Sequence, residues 1–101
     1  MAHEKLSTEA AAAKLETLEG WSMADDRLTK EFRFSDFVAA MGFMHAVAFD
    51  AERLNHHPNW SNVYNRVEVT LWTHDAGGLT ELDFELAAHM DRRAGRRGRT
   101  A

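Results

Sequence analysis

Two adjacent histidines stand against the only proline of the chain, in His56-His57-Pro58-Asn59-Trp60, and a third, His74, closes a strand-like run further on. Imidazole is the side chain that titrates nearest neutrality, so it is suited to giving and taking protons at ordinary pH. Pro58 fixes its own φ and pushes His57 out of helical geometry. A helix entering from Ser35 must therefore stop at or before His57, and both imidazoles fall where the chain turns. Adjacent side chains on an extended backbone point to opposite faces, but a bend lets both reach one pocket. Glu52 lies one helical turn before His56 and can orient an imidazole, or simply be a solvated helix carboxylate. His56, His57 and His74 with a carboxylate could in principle ligate zinc or iron. There is no His-Glu-x-x-His and no helical i, i+4 pair of histidines on one face. Proton transfer is thus the favoured chemistry, and no metal is expected. His45 and His89 fall inside helical patterns and read as structural, and Trp60 and Trp72 read as core or as a stacking platform. No serine sits in a nucleophile elbow, and Gly77-Gly78 is too little to cradle a phosphate.

Elements on both sides must position these residues. Leu6 to Glu19 is alanine-rich and helix-favouring, with Ser7 or Thr8 as N-cap and Gly20 ending it. Trp21 to Met23 reads as a short strand and Ala24-Asp25-Asp26-Arg27 as a turn. Leu28, Phe32 and Phe34 then form the inner face of a half-buried strand, with Thr29, Glu31 and Arg33 outside. Lys30 falls on the inner face, which an edge strand tolerates. Ser35 or Asp36 caps the central helix, whose sheet-facing side carries Phe37, Ala40, Met41, Met44, Val47, Ala48, Ala51 and Leu54. Its far side carries Ala39, Gly42, Ala46 and Phe49, small or apolar where a solvated helix carries charge. A second burial surface is expected there, most simply a subunit interface. Val67, Val69, Leu71 and Thr73 alternate with polar or outward residues in the clearest strand of the chain, and Tyr64-Asn65-Arg66 is a hairpin turn or a kink. After the loop Asp75-Ala76-Gly77-Gly78, Thr80 opens a last helix that runs to about Arg93. Asp83 stands at capping-box spacing, which explains it at this level. The order α-β-β-α-β-β-α predicts an α+β fold: a four-stranded antiparallel sheet with three helices on one face and the other face free.

The 101 residues suffice for one domain, expected over 1–91, with 92–101 a basic, flexible C-terminal tail. The first 91 residues hold 7 basic and 16 acidic side chains, a net of −9, while five arginines crowd the last ten positions. An acidic body does not suit nucleic-acid binding by a folded surface. The absence of cysteine excludes disulfides, thiolate-bound metals and thiol catalysis. No apolar segment reads as a signal peptide or a membrane span, so a cytoplasmic protein is expected.

The run Glu52-Arg53-Leu54-Asn55-His56-His57-Pro58-Asn59-Trp60 is followed by Asn62-Val63-Tyr64-Asn65, the strand Val67 to Leu71, Thr73-His74-Asp75, Gly78-Leu79-Thr80 and Asp83. In these residues the sequence resembles the pterin-4a-carbinolamine dehydratase family, also known as the dimerisation cofactor of a homeodomain transcription factor. The likeness runs from roughly Leu6 to Asp91. Trp72 and Leu82 stand where it would lead one to expect other residue types, and the arginine tail has no counterpart.

The resemblance implies a lyase working without metal or cofactor. Its substrate would be the 4a-hydroxy-tetrahydropterin formed when an aromatic amino-acid hydroxylase turns over, and its product the quinonoid dihydropterin, so that tetrahydrobiopterin is recycled. Losing hydroxide from C4a needs an acid and losing the N5 proton needs a base, roles that two imidazoles can share. By resemblance, His56 and His74 are the acid/base pair, and His57 binds the pterin or assists. Glu52 and Asp83 orient imidazoles, Trp60 walls the pocket, and Thr73 and Asp75 bind or orient the substrate. Dimers or tetramers are implied, and tetramers would pack through the central helix, which suits the Ala39, Gly42, Ala46 and Phe49 face. The same resemblance admits a non-catalytic interaction module that stabilises a partner's dimer, and a pterin-binding accessory of molybdenum-cofactor metabolism.

Overall fold

Alternating apolar residues pair two hairpins into one antiparallel sheet. A computed structural model describes residues 3–95 and 99–100. Its elements are α1 (Thr8–Leu15), β1 (Ser22–Ala24), β2 (Arg27–Arg33), α2 (Phe37–Leu54), β3 (Asn59–Val63), β4 (Arg66–Leu71), a 3₁₀ turn (His74–Ala76), α3 (Glu81–Ala94) and β5 (Arg99–Thr100). The strands lie in the order β1-β2-β4-β3, and the two-residue β5 pairs with Phe32 and Arg33 of β2. The α+β class and the order of helices and strands are those expected. Asp25 and Asp26 form the β1–β2 turn with φ of 53° and 57°. Two successive positive φ angles match the twist of a two-residue hairpin, and aspartate tolerates them.

Register decides what faces the core. Leu28 lies opposite Leu71, Lys30 opposite Val69 and Phe32 opposite Val67, and Trp60 and Asn62 extend the last two rows onto β3. The alternate rows, Thr29–Thr70–Asn59, Glu31–Glu68–Ser61 and Arg33–Arg66–Val63, form the opposite, polar face. Phe43 of α2 packs on Phe32 and Phe34, with ring centroids 4.8 and 4.9 Å away. Leu86, Ala87 and Met90 of α3 are fully buried in the same core.

Several expectations need correction. The first helix stops at Leu15, not Glu19, with Ser7 as its cap. The Thr17 hydroxyl donates to the Lys14 carbonyl at 2.6 Å, and Thr17 and Leu18 make tightened i→i−3 bonds that end the helix early. Lys30 is not on an edge: β2 lies between β1 and β4. Its ammonium is almost enclosed and bonds Asp91 Oδ1 at 2.8 Å and the Glu19 carbonyl at 2.9 Å, so a charge partner from α3 replaces solvent. Asp91 also accepts from the Trp21 indole N–H. On α2 the buried stripe is Ala40, Phe43, Val47, Asp50 and Ala51, while Phe37 and Ala48 are exposed. The boundary expected at residue 91 falls inside α3, so Arg92, Arg93 and Ala94 are helical. The rest of the expected tail lies outside the described residues, apart from Gly95 and β5.

A buried aspartate explains the rotation of α2. Asp50 accepts from Arg93 Nε at 2.9 Å and Nη2 at 3.0 Å, and from Arg53 Nη2 at 2.8 Å. The Arg93 hydrogen bond, with its charge, holds the Asp50 carboxyl below the ordinary value of 3.8 despite burial. A depressed carboxylate adds stability that is present above the unfolded-state value and is lost as pH falls through the folded one. Arg93→Gln is therefore expected to destabilise the fold at neutral pH and to flatten the loss of stability below about pH 4. Urea titrations at pH 7 and pH 3 check this; an unchanged difference between the two pH values would contradict it. Among the described residues, no helix is long and apolar enough to cross a membrane.

Candidate active site

The end of α2 aims the first histidine. Asn55 takes a left-handed conformation, φ 51° and ψ 45°. The His56 N–H then bonds the Ala51 carbonyl at 2.9 Å and the Asn55 N–H bonds Glu52 at 3.1 Å, closing the helix with a Schellman motif. The chain reverses at Asn55, so His56 turns inward and is 8% exposed while His57 stays outside. His56 Nε2 lies 2.5 Å from Asp83 Oδ1.

Asp83 is 0% exposed and does more than cap α3. Its Oδ2 accepts from the Thr80 N–H at 2.9 Å and from the Thr73 hydroxyl at 2.8 Å, and the Thr73 and Thr80 hydroxyls are 2.7 Å apart. One carboxylate thus starts a helix, ties it to the end of β4 and holds an imidazole. Since a carboxylate oxygen accepts, Nε2 of His56 carries the hydrogen. Nδ1 of His56 has no hydrogen-bond partner among the described residues.

His57 Nε2 is 2.8 Å from Glu52 Oε1. Glu52 therefore meets the second histidine of the pair, not the one a helical turn away, because Asn55 breaks the helical relation before His56. His74 opens the 3₁₀ turn, exposed, next to Thr73. Thr73 exchanges backbone hydrogen bonds with Gly78, and Gly77 closes the turn at φ 75°.

His56, His57 and His74 line one cavity of about 430 Å³. Thr73, Asp75, Asn55 and Asn59 add polar groups to its wall, and Leu54, Trp72 and Leu82 add apolar ones. Trp60, expected to wall this pocket, lines an adjoining groove of about 470 Å³ with His45, Phe49 and Pro58, into which Glu52 and His57 also reach. Trp60 lies on β3, past the turn that holds the histidines, and pairs there with Val69 of β4. Sequence reasoning missed His3, Leu54, Asn55 and Asn59 as lining residues, whereas Trp72, open between core and stacking platform, lies in the wall together with Leu82. An asparagine ending a helix just before a histidine pair was a readable signal. His3 had none, since a backbone bond from Leu6 to Leu79 carries it to the site. Among the described residues, no three histidine, aspartate or glutamate side chains are grouped to hold a metal ion.

A family model described as pterin 4 alpha carbinolamine dehydratase matches residues 4–93. Two relatives share the name "Putative pterin-4-alpha-carbinolamine dehydratase". The one from Sinorhizobium fredii is 57% identical over 96 residues, which cover 93% of this chain and 91% of the relative. The one from Rhizobium etli is 54% identical over 99 residues, covering 96% and 98%. Among solved structures, a transcriptional coactivator/pterin dehydratase from Brucella melitensis superposes with a TM-score of 0.89 at 45% identity, covering 91% of this chain and 100% of that one. A pterin dehydratase-like protein described as a RuBisCO assembly factor in the alpha-carboxysome superposes with a TM-score of 0.62 at 26% identity, covering 74% and 87%. With residues 4–93 matched by the family model and more than half of the aligned residues identical to those of the Sinorhizobium fredii and Rhizobium etli relatives, the protein belongs to the pterin 4 alpha carbinolamine dehydratase family.

Proposed function

We propose that this chain is a dehydratase that removes water from a 4a-hydroxy-tetrahydropterin. The observation that carries the reading is the convergence of three imidazoles, one of them buried on a buried carboxylate, on a cavity of about 430 Å³. That volume suits a small heterocycle. In the neutral ring of His56, the hydrogen on Nε2 leaves a lone pair on Nδ1, which takes the N5 proton. The N5 electrons form the N5=C4a bond as the C4a–O bond breaks. His74 gives its proton to the departing hydroxide, which leaves as water. His57, steadied by Glu52, binds the pterin beside them, and Thr73 and Asp75 help orient it. Loss of water from a carbinolamine is redox-neutral and is pushed by the substrate's own N5 lone pair, so positioned acids and bases suffice and the reading calls on neither metal nor cofactor. The test generates the carbinolamine in situ and follows quinonoid dihydropterin by absorbance, against a protein-free blank because the substrate also loses water unaided. A rate equal to the blank would overturn the proposal. A cytoplasmic role in pterin recycling follows from the same reading.

A second reading, protein interaction, is favoured by the outer face of α2. Val38 is 76% and Phe49 62% exposed, and Ala39, Gly42 and Ala46 floor a groove of about 630 Å³. We propose that this face packs against a second copy, giving a homodimer or homotetramer. A Cβ added at Gly42 would meet no atom within 4 Å among the described residues. Gly42→Leu is thus expected to leave the thermal midpoint of the monomer unit intact while lowering the oligomer mass in sedimentation. An unchanged mass would remove Gly42 from the interface. Histidine-independent rescue of a partner protein's assembly would favour the non-catalytic module, and a molybdenum-cofactor accessory would bind pterin without dehydrating it.

A further inference from the structure

Trp72 lines the cavity with one ring face already taken. The Arg27 guanidinium carbon lies over its ring, 4.2 Å from the centroid. Continuing the β2–β4 register one step past Leu28 and Leu71 sets Arg27 directly opposite Trp72. Continuing the β3–β4 register two steps past Asn59 and Thr70 sets His57 on the other side. Leu71 points into the core, so Trp72 points the other way, along the row of Thr70, Thr29 and Asn59. His57, Asn59 and Trp72 line the cavity and Arg27 does not. The guanidinium is itself anchored, donating to the Asp25 carbonyl at 3.0 Å in the tight β1–β2 turn.

We propose that Trp72, backed by Arg27, is the stacking surface that holds the planar pyrimidinone half of the pterin against His57 and His74. The proposal rests on the pterin reading of the cavity. Although C4a is tetrahedral in the carbinolamine, the conjugated segment N1–C2–N3–C4 stays flat throughout the reaction and gains most from a flat aromatic wall, and such stacking is tolerant of the ring's substituents. Tetrahydropterin rings are electron-rich through their amino groups. A cation on the far face of the indole draws density from it and makes it a better partner for such a ring. Arg27 also stops the indole from rotating across the cavity, so it acts as a positioning residue. Because stacking is made equally in the ground state and the transition state, its loss appears in KM and not in kcat.

The test uses Trp72→Ser, Trp72→Phe and Arg27→Met in the full chain, with steady-state dehydration and, separately, equilibrium titration with a fully oxidised pterin that can stack but has no water to lose. Trp72→Ser is expected to raise KM and the pterin Kd by about tenfold with kcat within about twofold. Trp72→Phe should retain most of the affinity, and Arg27→Met, which keeps the aliphatic stem, should lose about threefold. Equal pterin Kd values in wild type and Trp72→Ser would overturn the stacking role while leaving the dehydratase reading intact. Stacking losses in the Kd of a wild type that lacks activity would support the stacking role and defeat the dehydratase reading. A wild type that binds no pterin would defeat both. Circular dichroism guards against a folding artefact in Trp72→Ser, and the two milder variants keep the comparison decisive if that one fails to fold.

Discussion

His56→Ala is expected to lower kcat/KM for carbinolamine dehydration by roughly a hundred- to ten-thousandfold, the range that a positioned general acid or base contributes. Three features put this residue first. Its ring is buried, its Nε2 is fixed on Asp83 at 2.5 Å, and its remaining nitrogen has no partner among the described residues while the residue lines the cavity. A ring held by one nitrogen needs no reorganisation to use the other, whereas His57 and His74 are exposed. His74→Ala should fall in the same range, and His57→Ala should cost less, with the loss mainly in KM. The double variant His56→Ala/His74→Ala should be little worse than either single one, because residues acting on the same step are not additive. Spontaneous loss of water sets the floor, so the comparison is made after subtracting the blank. If His56→Ala and His74→Ala both kept wild-type kcat/KM, the acid/base assignment would be wrong.

The largest effect on stability is expected at Asp83. Asp83→Ala removes in one step the acceptor for the Thr80 N–H, the Thr73 hydroxyl and His56, in a place that water does not reach. Each buried donor left unmatched costs about 1–3 kcal/mol, softened where a hydroxyl can rotate, so a total of about 3 kcal/mol is expected. For a domain of this size that is about 15 °C in Tm, read by calorimetry or circular dichroism. Asp83→Asn separates structure from chemistry. The two donors at the Oδ2 position select the amide oxygen, which keeps the cap, so the stability loss should be about 1 kcal/mol. The amide nitrogen then faces His56 Nε2 and makes it an acceptor, which moves the ring hydrogen to Nδ1. The lone pair is withdrawn from the cavity, and kcat should fall at least tenfold in a protein that remains folded. A folded Asp83→Asn enzyme with wild-type kcat would show that Asp83 is purely structural.

Local patterns carried much of this molecule. Alternation along Arg66–Leu71, the capping signals at Asp36 and Thr80 and the halt imposed by Pro58 all act between near neighbours. The order of elements and the location of the histidine turn are therefore written in the chain, and so are the residues that mark the family. Partners distant in sequence are different. Lys30 reads as an edge residue until Asp91, 61 positions away, is seen beside it. Asp50 has no place on the expected sheet-facing side of α2, and it is buried there because Arg93 closes on it from 43 positions away. The pairing of Glu52 with His57 and of Asp83 with His56 reverses the simplest reading of spacing, because one left-handed residue, Asn55, redirects the chain. Trp60 and Trp72 differ in environment only because β3 and β4 meet in one register and not another. Residue type and local period thus determined the fold class and the kind of chemistry available. Which imidazole is buried, which carboxylate holds it and which aromatic ring walls the cavity were decided by tertiary structure, since hydrogen bonds and burial act across space and leave no periodic trace along the chain.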